Sequence, residues 1–174
     1  MQRLAFFSCL ALLLLSLALP ALAVLSDTED ARPVPNDPDS AAGFAALQRA
    51  DWQGVLDSMA RVVARRPWDD EAYNLMGFAS RKLGNYRQAL AYYQKALDLN
   101  PHHRGALEYL GETYLEMRCV AQARDILTRL ETACKRIMGN AANDGWKRGC
   151  QEWTELHTAI TAAREPGQPG CPLE

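Results

Sequence analysis

A repeat of 34 residues constrains the fold of this chain more than any other feature of its 174-residue sequence. The recurring positions are Gly43, Gly77 and Gly111; Trp52, Tyr86 and Val120; Val55, Ala89 and Ala123; Met59, Tyr93 and Leu127; and Pro67 and Pro101. A period of this length indicates one supersecondary unit that cannot bury its apolar face alone and therefore stacks on copies of itself. We expect at least three such units.

Within residues 71–101 the apolar pattern predicts two amphipathic helices. Their helically spaced positions are Tyr73, Met76, Gly77, Ser80 and Leu83 in the first, and Ala89, Leu90, Tyr93, Ala96 and Leu97 in the second. Asp69 and Asn85 are candidate N-caps, and Pro101 ends the second helix. Gly77 and Ala89 are small, so the two backbones can approach closely where the helices cross.

The middle unit resembles the tetratricopeptide repeat consensus at Tyr73, Gly77, Gly84, Tyr86, Ala89, Tyr93, Ala96 and Pro101. The third unit keeps Gly111, Tyr114 and Ala123. The first unit is degenerate, with Val55 where the family prefers alanine. The resemblance covers about residues 39–130 and implies an all-α, right-handed helical solenoid. Its expected units are residues 39–67, residues 70–101 and residues 104–138, the last with an extended second helix.

A capping helix is expected over residues 146–164, followed by a tail at residues 165–174. A helix there would place Trp146, Cys150, Trp153, His157 and Ile160 on one stripe. The tryptophans of this stripe would pack against the open end of the stack, because the third unit has no successor to cover it.

The N-terminus predicts export. Residues 1–23 carry one arginine, an apolar run and a small-residue triplet, Ala21-Leu22-Ala23, which is typical of a signal peptide cleaved before Val24. The alternative is an uncleaved membrane anchor over residues 4–25, which approach the length of a span. Residues 24–38 contain three prolines and several acids and are expected to be a flexible linker. A periplasmic location follows from this interpretation.

Four cysteines remain after the leader, and an even number in an exported chain favours disulfides. If the last repeat helix runs from Val120 to Met138, Cys119 and Cys134 lie roughly 22 Å apart, too far for a bond that tolerates about 7 Å between Cα atoms. In an antiparallel hairpin Cys134 faces Cys150 across the bend, and the tail brings Cys171 beside Cys119. We therefore predict Cys134–Cys150 and Cys119–Cys171.

A redox or metal site made from Cys134, Cys150 and His157 is the alternative. These residues lack the close C-x-x-C spacing of zinc ribbons and redox dithiols. His102 and His103 are adjacent, so on a helix they diverge by about 100° and cannot grip one ion alone. We expect them to form the solvent-exposed start of a helix. No cofactor is predicted.

No enzyme is predicted, because the catalytic motifs of hydrolases, nucleotide-binding proteins and zinc proteases are missing from the sequence. Glu108, Glu112 and Glu116 are spaced by four residues and suggest a solvated helix face. The formal net charge of −2 offers nothing to attract nucleic acid or an anionic membrane.

The family resemblance implies a concave groove that binds a peptide or protein segment. Carried over position by position, the groove is lined by Phe44, Leu47 and Gln48 from the first unit, Asn74, Phe78, Arg81 and Lys82 from the second, and Glu108, Glu112, Leu115 and Glu116 from the third. It would be basic in the second unit and acidic in the third. The alternative is that Phe44 and Phe78 only pack between units.

The chain lacks the basic positions of the family's carboxylate clamp, which here are Gly105 and Tyr109. An acidic C-terminal peptide is therefore not the expected ligand. The sequence predicts a non-catalytic scaffold that holds a protein of unknown identity in the bacterial periplasm. The alternative is a thiol-based redox or metal-carrier protein that uses Cys134 and Cys150.

Overall fold

The computed structural model describes residues 37–138, 147, 149–163 and 171–172. Helices cover most of this part: α1 Pro38–Gln48, α2 Trp52–Arg65, α3 Asp70–Lys82, α4 Tyr86–Leu99, α5 Arg104–Glu116, α6 Val120–Met138 and α7 Gln151–Ala162. No strand occurs within these ranges. The predicted leader, nearly all of the linker, the bend at 139–145, Trp146 and most of the tail lie outside the described residues.

Consecutive helices form three hairpins, α1 with α2, α3 with α4 and α5 with α6. The second helix of each hairpin packs on the first helix of the next, so α2 contacts α3 and α4 contacts α5. Helix α7 closes the array by packing on both α5 and α6. This is the all-α solenoid of about three units with a final helix that the repeat predicts.

The glycines of the repeat mark the crossings between helices. A Cβ on Gly77 would lie 2.5 Å from the Tyr93 ring, closer than real Cβ contacts allow. Tyr93 is fully buried there, so the ring cannot move aside without disturbing the core. The equivalent Gly43 faces the side chain of Met59 in the same way.

The third unit departs from this pattern. A Cβ on Gly111 would meet Leu156 of α7 at 2.5 Å, whereas the repeat would place Leu127 of α6 opposite it. Leu156 is fully buried, and Leu127 is only half-buried. The space beside Gly111 on α5 is therefore filled by Leu156 of α7.

Aspartates cap several helices as the sequence suggests. The side chain of Asp69 accepts a hydrogen bond from Ala72 N at 2.9 Å, and Asp51 accepts one from Gly54 N at 3.0 Å. Asn85 lies at the N-cap of α4 but makes no side-chain capping bond. Gly84 in the turn before it has φ +77°, a conformation that favours glycine.

Helix α7 begins later than predicted and presents a different face. Cys150 is extended at its N-cap, with φ −124° and ψ 89°, so the helix starts at Gln151 rather than at 146. Its buried residues are Glu152, Leu156 and Ile160. Trp153 is half-buried and stacks on the exposed His157 with ring centroids 4.7 Å apart.

Two disulfides tie the ends of the α6–α7 hairpin. Cys134 bonds to Cys150 with Cα atoms 5.9 Å apart, and Cys119 bonds to Cys171 with Cα atoms 4.7 Å apart. These are the pairs expected from helix register, because α6 has the bounds on which that argument depended. None of the described helices combines the length and the apolar character that crossing a membrane requires.

Candidate partner-binding groove

The first helices α3 and α5 pack against each other across the unit boundary, and the candidate groove follows these helices. In the first unit Phe44 and Leu47 are half-buried against the core, while Gln48 is exposed. Part of each apolar side chain thus remains accessible. The structure therefore leaves an uncharged surface at this end of the groove.

An aromatic row runs across all three units. Phe78 lies between Trp52, with ring centroids 5.7 Å apart, and Tyr109, with centroids 4.9 Å apart. Phe78 is 5% exposed, whereas Trp52 and Tyr109 are half-buried. Trp52 and Tyr109 were not among the predicted groove residues. For Trp52 the signal was its place in the repeat, where a large aromatic residue recurs as Tyr86.

Arg81 lies deep in this row, and its side chain is only 6% exposed. It forms an ion pair with Glu112 and approaches Glu116 at 3.6 Å. Its guanidinium carbon lies 5.6 Å from the Phe78 ring centroid and 5.8 Å from that of Tyr109. Burial would lower the pKa of Arg81, but Glu112 and its other surroundings outweigh burial and raise it. Arg81 is therefore a fixed cation.

The predicted separation into a basic and an acidic zone is therefore incomplete, because Arg81 and Glu112 form a pair with each other. Lys82 is exposed and holds its ammonium 5.0 Å from the Phe78 ring centroid. Glu116 is exposed and Leu115 is half-buried. Among the predicted groove residues of the second and third units, the accessible charges are those of Lys82 and Glu116, with part of Glu112.

Asn74 is completely buried, and its amide nitrogen lies 3.4 Å from the Glu71 carboxylate. A Cβ on Gly105 of α5 would lie 3.5 Å from this nitrogen. The stacking of α5 on α3 thus covers a side chain that the family position placed in the groove. Asn74 helps to join two units and does not face a ligand.

Glu108 is 4% exposed, so it does not belong to a solvated face with Glu112 and Glu116. Helix α7 covers it. Burial raises its pKa to about 10, helped by a hydrogen bond with Glu155 of α7 and by the nearby charge of Glu112. Glu108 is consequently protonated at neutral pH and can donate to Glu155. Sequence spacing could not show this, because the covering helix is more than forty residues away.

His103 is buried at 8% exposure and caps α5, so the expected solvent-exposed position was wrong for it. Its Nδ1 accepts from Ala106 N at 3.2 Å, and its Nε2 lies 2.9 Å from a Glu71 oxygen. The proton then resides on Nε2, which donates to Glu71. His102 diverges toward Arg136, 3.3 Å away. The two histidines do not converge.

Cys134 and Cys150 are both fully buried and bonded to each other. Nucleophilic cysteine needs an accessible thiolate. Within the described ranges no group of three or more His, Cys, Asp or Glu side chains could hold a metal ion. His157 instead stacks on Trp153 at the surface of α7.

Comparison with known proteins agrees with this architecture. Residues 70–103 match the model of the tetratricopeptide repeat family. Protein SGT1 homolog from Bos taurus is 29% identical over 110 residues, which are 62% of this chain and 31% of that protein. The chain thus spans about a third of the length of this curated relative.

Two solved structures share the fold. The TPR2B domain of yeast Sti1, in a complex with pHsp70, aligns with a TM-score of 0.61 at 20% identity, covering 72% of this chain and 95% of that one. The Sgt2 TPR domain from Aspergillus fumigatus aligns with a TM-score of 0.55 at 21% identity, covering 79% and 89%. Residues 70–103 therefore match one tetratricopeptide repeat, and the described helices around it share the fold of tetratricopeptide repeat domains.

Proposed function

We propose that this protein is a non-catalytic scaffold that binds a segment of a partner protein in the groove along α1, α3 and α5. The observation that carries the proposal is the aromatic row of Trp52, Phe78 and Tyr109, together with the cations Arg81 and Lys82 that lie over it. Half-buried aromatic rings beside charged groups are common at protein interfaces. The similar TPR2B domain of yeast Sti1 forms a complex with pHsp70.

We also propose that the protein works in the bacterial periplasm after cleavage before Val24. The apolar leader supports export, and the two disulfides support an oxidising compartment as the destination. Cell fractionation combined with intact mass measurement tests this. A periplasmic chain that begins at Val24 and contains no free thiol is expected. A membrane-bound chain that retains its leader would support the anchor instead.

The groove is tested by capture of partners from a periplasmic extract. Lys82 is exposed, with its ammonium 5.0 Å from the Phe78 ring, so Lys82→Trp fills part of the groove without removing a buried contact and should lower binding while the fold is retained. Lys95→Trp is the matched control, since Lys95 is likewise exposed and holds its ammonium 6.0 Å from an aromatic ring, that of Tyr73, but belongs to α4, the second helix of its unit. Equal losses for both variants would contradict a groove-specific interaction.

The thiol-based redox or metal-carrier alternative requires accessible Cys134 and Cys150. Both are fully buried in the disulfide beneath α7. No observation of the structure favours this alternative over the scaffold.

A further inference from the structure

The charges of the groove differ from end to end, and this difference bears on the chemistry of its partner. The first-unit end presents Phe44, Leu47 and Gln48, which are uncharged. The third-unit end presents the carboxylates of Glu112 and Glu116 on α5, and Glu155 of α7 is hydrogen-bonded to Glu108, one turn before Glu112. The inference drawn from this rests on the proposed function and concerns which segments the groove accepts.

The deepest cation of the groove is already paired. Arg81 forms an ion pair with Glu112 and approaches Glu116 at 3.6 Å, and its side chain is 6% exposed. A ligand carboxylate could recruit Arg81 only by displacing Glu112, which would leave a half-buried carboxylate without its partner. Removing one member of a largely buried ion pair is costly. Arg81 therefore does not serve as a receptor for an acidic ligand.

Among the described groove residues of the third-unit end, the accessible carboxylates outnumber the arginines paired with them. One arginine serves Glu112 and Glu116, and the Glu116 side chain remains 42% exposed. The exposed Glu155 is joined to Glu108 and accepts from Gln151, a neutral donor. Arg104 of α5 is paired with Glu152 at 3.3 Å and is 13% exposed. Its charge is thus already balanced by another carboxylate.

We infer that the groove accepts an amphipathic protein segment with an apolar side chain at the first-unit end and a basic side chain at the third-unit end. The apolar side chain would pack beside Phe44 and Leu47. The basic side chain would lie on the acidic surface to which Glu116 of α5 and Glu155 of α7 contribute. Electrostatic complementarity of this kind selects partners and aligns them in one direction. An acidic segment is disfavoured because its carboxylates would face those of α5 and α7.

The test uses three labelled synthetic peptides with the same aromatic and aliphatic residues. They differ at two positions, which are Lys, Gln or Glu, and their affinities are measured by fluorescence anisotropy. The Lys peptide should bind about tenfold more tightly than the Glu peptide at low salt, a ratio that corresponds to about 1.4 kcal/mol. The ratio should shrink as added salt screens exposed charges.

A double variant, Glu116→Gln with Glu155→Gln, removes both exposed carboxylates and should abolish the preference for Lys. The matched control is Asp98→Asn with Asp125→Asn, which makes the same change in net charge on α4 and α6. Asp98 accepts from Gln94 at 2.8 Å much as Glu155 accepts from Gln151 at 2.7 Å. The control should keep the preference.

Each outcome has a distinct meaning. Equal binding of the three peptides, tighter binding of the Glu peptide or a preference that survives in the Glu116/Glu155 variant would overturn the charge rule while leaving the groove in place. Failure of every peptide, including the neutral one, would count against the groove itself, and the charge rule would fall with it.

Discussion

At the scale of single residues, Gly77 and Glu108 show how the surroundings of a position decide which side chain fits there and which charge it carries. Gly77 is required because Tyr93 occupies the space that a Cβ would fill. Glu108 is neutral because α7 removes it from water. Both residues act through neighbours that are distant in sequence or on another helix.

Gly77→Ala should lower the free energy of unfolding by about 1–3 kcal/mol, because the added methyl overpacks the contact with Tyr93. Gly105→Ala is the matched control. Its Cβ would lie 3.5 Å from the nearest atom, so helix propensity should make it neutral or stabilising by up to about 1 kcal/mol. Urea titration measures both. A Gly77→Ala variant that is as stable as the Gly105→Ala control would contradict the close packing of Gly77 against Tyr93.

Glu108 should make stability fall as pH rises. Its pKa is about 10 in the folded chain against 4.5 for the ordinary group, so the folded state retains a proton that the unfolded state releases between these values. The contribution is complete below pH 4.5 and is lost as the pH approaches 10.

Glu108→Gln should flatten this slope and stabilise the protein at pH 7.5 by roughly 1–3 kcal/mol, since glutamine can still donate to Glu155. Glu116→Gln, an exposed residue on the same helix, should leave the slope unchanged. Thermal unfolding across pH 5–9 measures both variants. An unchanged slope in Glu108→Gln would show that the carboxyl is ionised in the folded state.

At the scale of elements, the repeat hairpins could be predicted from the sequence and the final helix only in part. The two cysteine pairs followed from the assumption that the second helix of the third unit runs from Val120 to Met138, and α6 has these bounds. The face of α7 that packs on the core could not be predicted from apolar spacing, because the orientation of this helix depends on Leu156 filling the space above Gly111. The apolar periodicity of the sequence predicts neither the contact between Leu156 and Gly111 nor the burial of Glu108 beneath α7.

Replacing Cys134 and Cys150 together by alanine should lower the free energy of unfolding by about 2–4 kcal/mol, because the bond between α6 and α7 constrains the unfolded chain. Chemical unfolding of the variant and the native protein gives the difference. Before reduction, thiol titration of the unfolded chain that begins at Val24, and therefore lacks Cys9, should detect no reactive cysteine. Two reactive thiols would contradict the pairing.

At the scale of the whole molecule, the described helices form a stack whose third-unit end is covered by α7. Helix α7 covers the end of the third unit, and the disulfide from Cys119 to Cys171 fastens the following chain to the start of α6. The proposed partner surface follows α1, α3 and α5, where the aromatic row lies beside Lys82 and Glu116.

Site-specific photo-cross-linking in living cells tests the binding groove most directly. A photoreactive residue replaces exposed Gln48 or Lys82 on the groove helices, and exposed Gln94 or Lys95 on α4 as matched controls. We expect the same partner adduct from both groove positions and no adduct from the positions on α4. Adducts that arise equally from α4, or from α4 alone, would contradict the groove as the binding surface.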